Sequence, residues 1–486
     1  MVSVSRRRFV RHSAVIAAVL GVRPLETLAE LEQKSDAGER SRAPLDALAI
    51  RKLAAKTTGR VITPATSEYE SSRLLFNRAF DKRPALILRC AGAADIARAL
   101  EFAQQHTLPV AVRGGGHNRA GLSVCDGGMV IDLAAMNRIE VNPARRVVRA
   151  GAGALTVHVD AATQRHGLAT TLAGCPTVGI AGLTLGGGEG FLMSKYGAAC
   201  DNLISARVVT VDGTQVRASE TSNPDLFWAI RGGGGNFGVA TALEYQLHPV
   251  SDVLAGWLAY SAGQVSRPLE GFATVIASAP DEFNIVGSVS ASALGPQFRM
   301  LLCHCGEPRQ GNAVLSPMRA LHPQEDTVRV ASYLEINATV NPASPVAHFQ
   351  TDLFVPELDA GVIATISAAI ESAPLNARVF MVPFYGAVTR VGPSDTAFPL
   401  RRVGCELDIM ARWESPSEKD AAVRWVKELR DKLSAFAQGA YVNQLGETSE
   451  QLVQLAYGAN YPRLAAIKKK YDPTNVLQSN QNISPA

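Results

Sequence analysis

The sequence predicts an α+β protein of two lobes: a glycine-rich ligand-binding domain opened by a βαβ unit, then an antiparallel sheet covered by helices. Three observations carry this. The 486 residues are 47% hydrophobic and 19% charged, a composition that supports a large buried core. Glycine is uneven, with 16 of the 41 falling between Gly114 and Gly190. After Ser251 glycine thins out and alternating strands mix with helices.

The elements follow in order. Residues 85–90 form a short apolar strand after Pro84. Asp95 begins a helix whose apolar face is Ile96, Ala99, Leu100 and Ala103. Residues 109–112 are the next strand, which runs straight into Arg113-Gly114-Gly115-Gly116-His117-Asn118. Residues 129–133 and 146–150 are strand-like, and 156–166 read as a helix. Residues 206–211 form a strand that ends in the Asp212-Gly213 turn, and a short helix over 225–230 precedes the cluster Gly232-Gly233-Gly234-Gly235. In the second lobe, strands are expected at 284–290, 298–303 and 405–413, with helices at 361–372 and 417–436. A basic helix over 463–470 leads into the turn Tyr471-Asp472-Pro473-Thr474-Asn475.

Charge and cysteine content narrow the function. The 48 basic and 44 acidic residues leave a net charge of +4, and no basic stripe interleaved with aromatics marks a nucleic-acid surface. Beyond the first 25 residues no apolar run reaches the ~18 residues of a bilayer span, so no stable membrane anchor is expected. The seven cysteines are odd in number, and Cys303-His304-Cys305, the one tight cluster, has no second cluster to complete a zinc site. No metal is expected. At the N-terminus, Arg6-Arg7-Arg8-Phe9 precedes a modest apolar run over 13–22 and resembles a twin-arginine signal. That implies the twin-arginine export machinery as a partner and a periplasmic or secreted location. Residues 1–43 are read as signal and linker.

Familiar nucleotide motifs are missing. Gly151-Ala152-Gly153-Ala154-Leu155-Thr156 carries Thr where a dinucleotide fold needs its third glycine, and no Gly-Lys dipeptide exists for a Walker loop. Glycine-rich turns nevertheless free backbone N–H groups into nests that hold pyrophosphate without a lysine. A phosphate-bearing cofactor held by loops is therefore expected.

Several ordered motifs resemble one family. Arg113 to Asn118, Gly174-Cys175-Pro176-Thr177-Val178-Gly179, Leu185-Gly186-Gly187-Gly188-Glu189-Gly190, Asp201-Asn202, Arg231 to Gly238 and Asn480-Gln481-Asn482 look like the berberine-bridge-enzyme-like flavin oxidases of the vanillyl-alcohol-oxidase superfamily. The resemblance spans roughly residues 60 to 486 and is weakest between about 255 and 375. It implies a PCMH-type FAD-binding domain over 44–250, a substrate domain over 251–455, and a C-terminal segment, 456–486, that returns to the FAD.

The resemblance also assigns roles. FAD is bicovalent, with His117 bonded to the flavin 8α-methyl carbon and Cys175 to flavin C6. Neutral imidazole and thiolate are the nucleophiles such bonds require. Gly114, Gly115 and Gly116 hold the pyrophosphate, helped by the loop that carries Gly182, Gly187, Gly188 and Gly190, and Arg113, Asn118, Gly174 and Gly179 are further cofactor-binding positions. Val239 approaches the adenine side, Asn443 belongs to the tyrosine motif, and Asn480 with Gln481 closes over the cofactor. Val178 faces flavin C4a, and a small residue there is associated with O2 as electron acceptor and H2O2 as product. Tyr441, with Asp408 and the weaker candidate Tyr385, acts on substrate by removing a proton while a hydride passes to flavin N5. Asp408 lies on an alternating strand, on one face with Glu406 and Met410. Asp201 and Asp212 read as turn acids. The implied activity is oxidation of a small molecule: an alcohol, a sugar-like compound or a secondary metabolite. The alternatives are a dehydrogenase or oxidative cyclase of a natural-product pathway, or a flavin-bearing binding protein.

Overall fold

Leu86, Ile87 and Leu88, an unbroken apolar run, pair in parallel with the equally apolar Met129, Val130 and Ile131, as strands covered on both faces do. In the computed structural model, which describes residues 45–338 and 345–486, these belong to a four-stranded sheet. Its strands β1 (Arg60–Ile62), β2 (Leu86–Arg89), β3 (Val110–Arg113) and β4 (Met129–Asp132) lie in the order β1-β2-β4-β3. The helix Ala93–Gln105 crosses from β2 to β3 and buries Ile96, Ala99, Leu100 and Ala103 as its sequence period requires. Asp95, in its first turn, accepts backbone N–H bonds from Thr58, Gly59 and Ala91, each at 2.8 Å. β3 therefore delivers Gly114 to His117 directly off a fixed sheet edge. The arginine-rich stretch near Arg6 lies outside the described residues.

A second, five-stranded antiparallel sheet follows in the order β5-β6-β10-β8-β9. It comprises β5 (Ile139–Asn142), β6 (Val147–Gly151), β8 (Leu203–Val209), β9 (Gln215–Ser219) and β10 (Val239–Gln246). Gly213 takes the φ of +82° that the turn between β8 and β9 demands. β7 (Leu168–Ala169) and β11 (His248–Pro249) form a separate short pair. The helix predicted over 156–166 is Thr156–Gln164.

The third sheet has eight strands: β12 (Asp252–Ala259), β13 (Phe283–Ser290), β14 (Gln297–His304), β15 (Glu325–Asp326), β16 (Arg329–Ser332), β17 (Ala347–Val355), β18 (Ala377–Phe384) and β19 (Gly404–Trp413). The main order is β15-β12-β14-β13-β18-β19-β17, with β16 also on β12, and every pairing is antiparallel. Period-two alternation splits it into two faces. Leu407, Ile409, Ala411 and Trp413 of β19 enter one large apolar core with Phe272, Leu315, Ile366 and Trp425. Those partners come from the helices Ser266–Ser278, Pro308–Arg319, Ala360–Glu371 and Lys419–Leu433. Replacing Phe272 by Ala would cost about 3–5 kcal/mol of cavity and transfer free energy. The residues between them, Glu406, Asp408, Met410 and Arg412, face the other way.

The C-terminal helix Tyr461–Tyr471 ends in a fully buried ion pair, Lys468 Nζ to Asp472 Oδ2 at 2.6 Å. Lys468 also donates to the carbonyl of Asn236 at 2.9 Å, and Asp472 accepts from the N–H groups of Val476 and Leu477. Asn236 donates to the Gln481 carbonyl at 3.1 Å. This latch lays the chain end against the second glycine cluster. Among the described residues no helix is long and apolar enough to cross a membrane.

Candidate active site

The loops after β3, the 173–179 loop, the helix Ile180–Leu185 and the polar face of the eight-stranded sheet enclose a cavity of about 530 Å³. Gly114, Gly115, Gly116, His117, Asn118, Gly174, Cys175, Val178, Gly179, Gly182, Gly190, Val239, Asn443, Asn480 and Gln481 all line it, and so do Tyr441 and Asp408. Gly115 and Gly179 show why glycine is needed here. A Cβ on Gly115 would stand 2.3 Å from the Gly179 nitrogen, so any side chain would drive the two loops apart.

His117 stacks on Phe76, with ring centroids 4.4 Å apart and planes 13° from parallel. Its Nε2 lies 3.0 Å from Thr177 Oγ1. Burial, and then the Arg119 charge, lower its pKa to about 4, so the imidazole is neutral near pH 7. Cys175 Sγ lies 3.6 Å from the same Thr177 oxygen. His117 and Cys175, both on the cavity lining, thus converge on one hydroxyl. Thr177 sits inside the quoted Gly-Cys-Pro-Thr-Val-Gly motif, but its bridging position depends on how two loops 60 residues apart meet.

Four expected residues lie elsewhere. Arg113 turns back from the cavity; its guanidinium donates to the Ser72 carbonyl and stands 3.7 Å from Asp132. Gly187 and Gly188 are not on the lining; a Cβ on them would strike Phe398 and Ala199, and their φ values of +127° and +93° also favour glycine. Tyr385 also lies outside the lining. The chain reverses at Gly386, with φ +69°, and the Tyr385 hydroxyl donates to the Phe283 carbonyl. Asp201 accepts from the Ala198 N–H at 2.8 Å and Asp212 from the Thr214 N–H, each within its turn, and Asp201 also pairs with Arg401, distant in sequence, at 2.6 Å.

Tyr441 is buried, with its phenol oxygen accepting from the Gly188 N–H at 2.8 Å and from Asn443 Nδ2 at 2.9 Å. Burial, then the Glu189 and Glu406 carboxyls, push its pKa up, against the two donors that favour the phenolate. Asp408, expected beside it, instead faces Arg119 and Arg378; burial raises its pKa to about 6 and those guanidiniums hold it down. Asp352 stands across from Asp408 in register and accepts the Tyr441 backbone N–H. Burial first, then the neighbouring carboxyls, raise Asp352 and Glu406 well above the carboxylate range. The carboxyls that act on the phenol are Glu189 first and then Glu406. Glu189 Oε1 accepts from Gln444, whose own oxygen accepts from Arg119 Nε at 3.1 Å.

Sequence reasoning missed Arg119, His348, Arg378, Arg412 and Gln444 on the lining, and Thr177 between His117 and Cys175. The arginines had one visible signal: Arg378 is the one charge in the otherwise apolar strand β18, and Arg412 continues the charged face of β19 begun by Glu406 and Asp408. Cys303 enters an apolar core, and among the described residues no three His, Cys, Asp or Glu side chains are grouped to hold a metal.

The residues fit a flavin dinucleotide. Glycine loops cradle the cavity, two nucleophiles face its wall, and Tyr457 Oη and Gln481 Oε1, both on the lining, are buried without partners. A glycine-loop cofactor site beneath a sheet of polar side chains defines a two-part flavoprotein. Comparison with known proteins agrees. The FAD binding domain family matches residues 84–219, and the berberine and berberine like family matches 440–484. An FAD-linked oxidoreductase of Bacillus subtilis is 32% identical over 452 residues, covering 88% of this chain and 98% of its own. The (R)-6-hydroxynicotine oxidase of Paenarthrobacter nicotinovorans is 31% identical over 453 residues, covering 88% and 97%. The crystal structure of 6-hydroxy-D-nicotine oxidase from Arthrobacter nicotinovorans superposes with a TM-score of 0.82 at 28% identity, covering 88% and 98%. The chain belongs to the berberine-bridge-enzyme-like FAD-linked oxidoreductases.

Proposed function

We propose that the protein is an oxidase whose FAD is bonded to both His117 and Cys175, and that it oxidises a small alcohol, sugar-like compound or secondary metabolite with O2 as acceptor. The observation that carries the two-bond reading is the shared Thr177 hydroxyl, which sets imidazole and sulfur on one stretch of cavity wall. Bound FAD supplies two-electron acceptance and returns the electrons to O2 as H2O2. The protein does the rest. Gly114, Gly115 and Gly116 offer backbone N–H groups to the pyrophosphate. Tyr441 holds the substrate proton at its phenol oxygen, where the Gly188 and Asn443 donors favour the anion that results when the proton moves on to a carboxyl. Glu189, the first of the carboxyl groups acting on that phenol, is the group placed to take it. Val178 leaves the wall open to a diatomic acceptor. Strand boundaries support the division into a cofactor part, 44–250 with 456–486, and a substrate part, 251–455.

An amine substrate is the second reading. It is favoured by the 31% identical relative named as a 6-hydroxynicotine oxidase. A peroxide-coupled assay across sugars, alcohols and amines tests both readings. Peroxide with one class fixes the substrate type; flavin that is reduced without peroxide makes the protein a dehydrogenase. Export through the twin-arginine route is part of the same reading, supported by Arg6-Arg7-Arg8-Phe9. Replacing Arg6 and Arg7 by Lys should abolish export; unchanged secretion would refute that route.

A further inference from the structure

The cavity wall formed by the eight-stranded sheet is electrically lopsided. Glu406 and Asp352 lie toward Tyr441. Arg378 and Arg412 occupy the other end, with Arg119 reaching over from the loop beyond Asn118. Arg378 stands directly across from Met410, and Arg412 lies two residues further along β19, so the two guanidiniums are diagonal neighbours on one face. The Arg378 guanidinium lies 4.3 Å from the Phe380 ring centroid and donates from Nη2 to Met410 Sδ at 3.3 Å. Its Nε and that of Arg412 are both buried without a hydrogen-bond partner. Among the described residues neither guanidinium has a carboxylate within ion-pair distance. The one acid facing them is Asp408.

Such an arrangement is costly unless something completes it. Burying a guanidinium without its hydrogen bonds or a counter-charge is strongly unfavourable. Burial and the adjacent Arg412 charge lower Arg378 to about 9, which records the same conflict. Phe380 and Trp257, on the same lining, add apolar surface that lowers the local dielectric and so strengthens an ion pair formed there. We propose that the substrate carries a carboxylate, held by Arg378 and Arg412 with Arg119 as a third charge, while the carbon to be oxidised points toward Tyr441. This deepens the oxidase reading and rests on it. Two planar donor forks side by side match the two oxygens of one carboxylate. Met410, opposite Arg378, is four residues from Glu406, a strand length of about 13 Å. The carboxylate is therefore several bonds from the reacting group, as in an acid bearing a remote alcohol or amine, and not a 2-hydroxy acid.

Benzoate, benzamide and benzenesulfonate, titrated calorimetrically into the holoprotein, test this without turnover. Benzoate should bind about tenfold or more tightly than benzamide, the scale of a charge-assisted pair. Arg378→Met and Arg412→Met should each weaken benzoate by a similar factor, and Arg378→Lys should restore part of the loss. Equal binding of benzamide, tighter binding of benzenesulfonate, or benzoate affinity unchanged in the arginine variants overturns the proposal. Should Arg378→Met fail to fold, Arg412→Met and Arg378→Lys decide it. Flavin reduction by hydroxy acids and by their amides then separates the two levels. Faster reduction by the acids supports the carboxylate site. An absence of reduction by any alcohol or amine overturns the oxidase reading and leaves the titration to judge the site.

Discussion

His117 and Cys175 meet at a single hydroxyl, Thr177 Oγ1, 3.0 Å from the imidazole nitrogen and 3.6 Å from the sulfur. The proposed double attachment makes each bond separately testable. On acid precipitation, His117→Ala and Cys175→Ala should each keep flavin in the pellet, and the double variant should release all of it. Free flavin from the denatured wild-type protein would rule out either bond. Thr177→Val should slow attachment while leaving the fold unchanged, read as the covalent fraction over time by mass spectrometry.

Tyr441→Phe removes the acceptor for two buried donors, the Gly188 N–H and the Asn443 amide. Stability should fall by about 1–3 kcal/mol, the cost of unpaired buried groups. Anaerobic flavin reduction should slow by about tenfold or more, within the usual range for a general base, with flavin content unchanged. Normal reduction in stopped flow would take Tyr441 out of the chemistry.

Asp408 and His348 make opposite demands on pH. Asp408 is raised to about 6 by burial, so its contribution is fully present below the unfolded value near 4 and is lost as pH rises through 6. Asp408→Asn should therefore gain stability over wild type at about pH 8 and match it near pH 4. Burial, then the Arg119 charge, lower His348 to about 3. Its contribution is present above about 6.5 and is lost as pH falls through 3. His348→Gln should flatten the acid side of the stability profile. Urea unfolding across pH checks both.

Lys468 and Asp472 form an ion pair with both side chains fully buried. Lys468→Met strands the carboxylate and should cost about 3–5 kcal/mol. Because the same lysine grips the Asn236 and Leu477 carbonyls, proteolysis should begin in the segment after Asp472, before the rest of the chain is cut. Cleavage that starts elsewhere would count against the latch.

Much of this was legible in the sequence, for local reasons. β2 and β4 announced themselves as apolar runs, and the Ala93–Gln105 helix by its period. The glycine motifs placed His117 and Cys175 on loops, where the structure puts them. What escaped notice depends on register between distant segments. Nothing local says that Arg378 lies across from Met410, or that Glu406, more than Asp408, neighbours the Tyr441 phenol. Tyr385 was misjudged because one glycine after it, Gly386, turns the chain and carries its ring to the Phe283 carbonyl. Gly187 and Gly188 share their motif with cavity glycines, yet their missing side chains make room for Phe398 and Ala199.

The alternation along β18 and β19 has a practical corollary. Arg378, Phe380 and Val382 interleave with Val379 and Met381, which belong to the helix-covered core, so the two sets can be redesigned independently. Libraries confined to the outward positions could retarget the catalyst to new compounds while its scaffold and prosthetic group stay untouched.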